Sequence, residues 1–140
     1  MKSKAPLTLL ELMLMLLVFA LAAAVCLRAF VLADRMVKES DIRDGACLQA
    51  QNAAETLKYT HGDYVLTAEL LDGVADPALL TIYYDENWQP VSRPDTYTLR
   101  AVPARTESEL LGGADIRVTD VAGKEHYALT VLWQKEESNA

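Results

Sequence analysis

The sequence predicts an α+β fold in which one long N-terminal helix, its first half transmembrane, packs on a small antiparallel β-sheet. Three observations lead there. No proline occurs between Pro6 and Pro77, and the first glycine is Gly45, so nothing stops a helix begun at Leu7 before about Thr60. Apolar side chains dominate every side of that helix up to Ala33 and then contract to one stripe. Beyond Pro77 the apolar spacing falls from three or four residues to two, the period of a strand.

The first half of the helix carries one anion. From Leu7 to Leu27 the only charged residue is Glu11, and after Arg28 the apolar run resumes as Ala29-Phe30-Val31-Leu32-Ala33. As a helix, residues 7 to 33 extend roughly 40 Å, enough to cross a hydrocarbon core of about 30 Å. A carboxylate inserted there costs about 2.5 to 3.5 kcal/mol, so Glu11 calls for a partner. A removed secretory signal is the rival reading, with Lys2 and Lys4 as its basic start and Ala22-Ala23-Ala24 as its cleavage site. Glu11 would then interrupt the signal's apolar core, which weakens that reading. A lipoprotein cut before Cys26 is weaker still, because Val25 is too large for the preceding position.

The string Leu7-Thr8-Leu9-Leu10-Glu11-Leu12-Met13-Leu14-Met15-Leu16-Leu17, preceded by Met1-Lys2-Ser3-Lys4-Ala5-Pro6, resembles the N-terminus of type IV pilins and type II secretion pseudopilins. The resemblance covers residues 5 to 35 and, beyond them, only the general layout. It implies a pilin-like fold and a basic leader, residues 1–6, removed by a prepilin peptidase before Leu7, with methylation of the new amine. It also implies that Glu11 pairs between subunits with a neighbour's amino terminus, and that the C-terminal domain lies outside the cytoplasm. Pro6 stands where the family has Gly. That difference supports an alternative: an uncleaved single-pass anchor carrying a binding module that does not polymerise.

Residues 34–61 read as the amphipathic half of the same helix. Cys47, Ala50, Ala54 and Leu57 recur at three- and four-residue steps, and small residues in such a stripe let a sheet approach closely. Gly62 offers a left-handed stop, and Gly45 a flexible point in a helix that lacks the proline kink of many pilins. Cys26 and Cys47 stand about 30 Å apart on one helix, too far for a disulfide within one molecule.

In the domain formed by residues 62–140, Val65, Leu66, Leu70 and Leu71 have helical spacing ahead of Gly73 and predict a short second helix. Strands are expected at Leu79 to Tyr84, at Trp88 to Val91 after the turn Asp85-Glu86-Asn87, and at Tyr97 to Val102. Thr106 to Gly113 reads as a helical turn with a capping-box start and a glycine stop. Ile116 to Val121 and Tyr127 to Trp133 form a hairpin around Ala122-Gly123-Lys124, with Tyr127, Leu129, Val131 and Trp133 on one side. Glu136 to Ala140 reads as a frayed tail.

Charge and motif content narrow the function. After Ala33 come ten basic and nineteen acidic residues, a balance of −9 that repels phosphate backbones, so no nucleic-acid partner is expected. His61 and His126, the only two histidines, have no Ser or Cys beside them in a nucleophile motif, and no phosphate loop or metal-spaced Cys/His cluster occurs. No enzymatic activity, cofactor or metal is expected, and Asp85-Glu86-Asn87 reads as a turn before it reads as a calcium loop. Arg28 has two readings, reaching the outer membrane interface or meeting an acidic group between subunits. The expected role is a structural, minor filament subunit. Its partners would be the membrane, the prepilin peptidase and other pilin or pseudopilin subunits.

Overall fold

The computed structural model describes residues 4–136. Most of the basic leader (residues 1–3) and most of the polar tail (residues 137–140) lie outside the described residues. The chain divides into two compact units, Met1–Ser40 and Asp41–Ala140.

The first unit is helical from Ala5, the start of helix α1 (Ala5–Tyr59). Every described residue up to Asp41 is exposed, including Phe19 at 74% and Phe30 at 80%. Asp34 and Lys38 form a surface ion pair one turn apart at 3.0 Å, worth about 0.3 to 0.5 kcal/mol.

In the second unit α1 contributes a stripe of Ala46, Ala50, Ala53, Ala54 and Leu57 to a core shared with the sheet. Alanine dominates because a helix backbone reaches a sheet closely only where side chains are short. Cys47, expected in the stripe, is half-buried.

The helix ends on a pair of left-handed residues. His61 donates its backbone N–H to the Lys58 carbonyl at 3.2 Å and Gly62 donates to Leu57 at 2.8 Å, the crossed bonds of a Schellman motif. Gly62 has φ +84° as expected, but the position between the two bonds falls to His61, at φ +51°. A side chain there costs about 1 to 2 kcal/mol.

Helix α2 (Tyr64–Leu70) follows, with Asp63 as N-cap accepting from the Leu66 N–H at 3.0 Å. Its buried residues are Tyr64, Thr67 and Ala68, whereas Val65, Leu66 and Leu70 of the predicted apolar stripe are exposed. Thr67 decides the orientation. Its hydroxyl donates to the Asp63 carbonyl at 2.6 Å and meets the Thr60 hydroxyl at 2.8 Å, which ties α2 to the end of α1. At the far end Asp72 takes φ +55° and Gly73 donates to Ala68 at 2.8 Å.

The strands are β1 (Val74–Asp76), β2 (Leu79–Tyr84), β3 (Pro90–Val91), β4 (Tyr97–Pro103), β5 (Leu111–Asp120) and β6 (Glu125–Gln134). They form one antiparallel sheet in the order β1-β2-β4-β5-β6, with β3 also paired to β2. Leu80, Ile82, Leu99, Ala101, Ala114, Ile116 and Val118 face the core and are fully buried. In β6 the expected alternation holds: Val131 is buried, and Tyr127, Leu129 and Trp133 are half-buried on the same side.

Three expectations are corrected and one strand is added. β1 has no counterpart among the expected strands; it is too short to display a period and exists because it pairs with β2, Val74 opposite Thr81. Trp88 sits in the turn at φ +60° instead of opening a strand. Gly112 and Gly113 lie inside β5, opposite Trp133 and Leu132, and do not stop a helix. The Thr106 hydroxyl donates to the carbonyls of Ser108 and Leu111 at 3.0 and 2.9 Å, which folds residues 104–110 into an irregular loop. Lastly, Gly45 is no hinge. The helix passes through it unbroken, and a Cβ there would run into the Trp88 indole.

Candidate functional site

The residues singled out for processing and assembly all lie on the exposed part of α1. Lys4 accepts both the backbone N–H and the hydroxyl of Thr8 at 3.2 Å, so the helix is already established before Leu7. Pro6 occupies its first turn, where a missing N–H costs nothing and the fixed φ suits a helix. The expected cleavage point between Pro6 and Leu7 therefore falls within helical backbone.

Glu11 stands on the same helix, exposed and without an ion pair among the described residues. Leu7, Leu10, Leu12, Leu14 and Met15 around it are each 57 to 70% exposed. The Thr8 hydroxyl, one turn away, is committed to Lys4. Arg28 borders a shallow apolar hollow of about 440 Å³ with Leu27, Val31, Leu32 and Arg35. Seventeen residues separate Glu11 from Arg28, roughly 26 Å along a helix, so the two charges do not neutralise each other within one chain. By length and composition this helix can cross a membrane; its most apolar window has mean hydropathy 2.7.

Family models, curated proteins and solved structures give no match to this chain.

In the second unit the structure brings together residues that the sequence left scattered. His126 Nε2 lies 3.1 Å from Asp120 Oδ2, and only 9% of the histidine side chain is exposed. Asp120 Oδ1 also accepts the N–H groups of Lys124 and Ala122 at 3.0 and 2.9 Å. These bonds, that from Lys124 foremost, hold the Asp120 carboxyl below its usual range. The edge of His126 meets Tyr97 with centroids 5.8 Å apart, and Tyr97 stacks on Trp88 at 4.1 Å, nearly parallel. At the far end of this run of rings Trp88 lies against α1 at Gly45. A β-bulge at Val118/Thr119 aims His126 inward, a shift that no residue pattern announces.

Other polar groups of this unit are committed locally. Asp85 Oδ1 accepts from Asn87 and Gln89 at 2.8 and 2.9 Å and closes its own turn. Among the described residues no three His, Cys, Asp or Glu side chains gather as a metal site. Burial pushes the Tyr84 hydroxyl up to about 12. A hydrogen bond with Cys47 raises Tyr127 above its ordinary value. The Tyr64 hydroxyl is buried without a hydrogen-bond partner among the described residues, and burial with the nearby Asp115 charge raises it.

Proposed function

We propose that this chain is a structural, minor subunit of a type IV pilus-like or pseudopilus-like filament, anchored by the first half of α1 with its sheet domain outside the cytoplasm. One observation carries the reading: Glu11, a carboxylate with no ion pair among the described residues, on a helix whose apolar residues are exposed on every side. In lipid that charge is a cost, and in a bundle of like helices it becomes a point of attachment for a neighbour's amine. The layout of a long helix ending on a small antiparallel sheet agrees with the reading, as does the sequence around Leu7.

The test is the mass of the protein recovered from its own membrane. A subunit cut by a prepilin peptidase begins at Leu7, lacking six residues, with or without one methyl on the amine. A full-length mass overturns processing and favours the second reading, an uncleaved anchor bearing a binding module. The helical start at Ala5, which places Pro6–Leu7 inside a regular turn, supports that alternative.

A further inference from the structure

The outer face of the sheet holds an arrangement that is unfavourable in a single chain. Arg100 of β4 stands directly opposite Arg117 of β5, and both are exposed. Like charges at opposed cross-strand positions repel. Arg117 has Glu125 at 3.9 Å, while Arg100 makes no ion pair among the described residues. Arg100 also lines a shallow hollow of about 410 Å³ with Tyr83, Thr98 and Thr119, which Asp95 and Asp120 border. Beside Arg100 on β4 the same face exposes Val102 at 41%, and Leu132 at 50% lies two strands away on β6. Between them Asp115, opposite Val102, accepts from the Thr130 hydroxyl at 2.6 Å.

The complement to this face exists elsewhere on the same domain. Between Lys58 and Arg93 there is no Lys or Arg, and six carboxylates. Two of them, Glu69 and Asp72, are exposed on and just after α2 and make no ion pair among the described residues. On the same short helix Leu66 and Leu70 are exposed at 42% and 54%, one helical turn apart.

We propose that α2 of one copy docks across the outer sheet face of the next. Leu66 and Leu70 lie along Val102, and Glu69 and Asp72 answer Arg100 and Arg117. An apolar centre with charged groups around it is the usual anatomy of a specific interface, and the opposite signs fix its direction. Because the two surfaces differ, the contact is heterologous and propagates instead of closing into a pair. The inference rests on the filament reading and supplies that reading with a contact outside the membrane.

The experiment uses the full chain in its own membrane, with Cys26 and Cys47 replaced by Ser. Leu66→Cys in one population of subunits and Val102→Cys in another are co-expressed and oxidised. A disulfide dimer that forms only in the mixture is expected. It should be lost when Arg100→Glu and Arg117→Glu are added to the Val102→Cys copy, and regained when Glu69→Arg and Asp72→Arg are added to the Leu66→Cys copy. A parallel Leu10→Cys crosslink reports on the membrane segment. Absence of the mixed dimer while Leu10→Cys still crosslinks overturns this contact and leaves the filament standing. Loss of both overturns both, and a mixed dimer indifferent to the charge reversals overturns the proposed pairing.

Discussion

The indole of Trp88 rests on the backbone of α1 at Gly45, in the space that any side chain at that position would occupy. The same ring stacks on Tyr97 at 4.1 Å, so it has little freedom to move aside. Gly45 is thus kept in a helix interior for its missing Cβ, against a propensity cost of about 1 kcal/mol relative to alanine.

Gly45→Ala should therefore destabilise the protein, by about 1 to 2 kcal/mol, because overpacking outweighs the gain in helix propensity. In a Trp88→Ala background the sign should reverse and the same substitution should stabilise by about 1 kcal/mol. Denaturant melts of the four variants in detergent check this. Stabilisation in both backgrounds would show that the indole is not held over the helix.

Trp133 is covered in the same manner, lying against Gly62 and against Gly112, its partner on β5. Trp133→Ala bares both glycines, yet the ring is only half-buried, so a loss of roughly 2 kcal/mol is expected. Leu129→Ala, also half-buried, should cost about 1 to 2 kcal/mol, and Leu99→Ala, fully buried, about 2 to 5 kcal/mol. Equal losses at Leu129 and Leu99 would contradict the observed burial.

The pH dependence should have an acid limb and an alkaline limb. Asp120 is held below its usual value by its backbone and His126 bonds, so its contribution is present above the unfolded carboxylate pKa of about 3.9. It is lost as pH falls through the lower folded value, and Asp120→Asn should flatten that limb. Tyr84 moves the other way. Its folded value of about 12 exceeds the ordinary 10.0, so its stabilisation is complete below pH 10.0 and lost as pH rises toward 12. Tyr84→Phe should remove that part of the alkaline loss, as read from circular dichroism against pH.

On the proposed filament reading, Glu11 gives the most direct test of assembly. Glu11→Ala should leave membrane insertion intact or improved, since an unpaired charge leaves the lipid. Filament recovery should fall, because breaking one side of a buried pair typically costs about 3 to 5 kcal/mol. Glu11→Gln, similar in shape but uncharged, should fail in the same way. Normal assembly by both variants would remove Glu11 from the mechanism.

Legibility in the sequence followed the range of the interactions. On α1 the sequence marks Glu11, because a single charge in an apolar run is a local signal, and it marks Pro6 and Leu7 only through the resemblance of the residues around it. Arg100 and Arg117 were unreadable as a pair, since seventeen residues separate them and only the β4–β5 register sets them face to face. His126 meets Asp120 only because a bulge turns it inward.

By itself the sequence determined the long helix, its change from an apolar cylinder to a stripe, the period of two in β2, β4 and β6, and the hairpin at Gly123. Those features follow from breakers and periodicities that act within a few residues. The tertiary structure alone decided that Gly45 is a seat for Trp88, that Gly112 and Gly113 lie within a strand, that Val74–Asp76 pairs at all, and that α2 buries Thr67 while leaving Leu66 and Leu70 outside. The physical reason is common to all four. A glycine's missing side chain, a three-residue strand and a threonine's hydroxyl gain their meaning from a partner distant in sequence, and hydrophobicity along the chain carries no record of that partner.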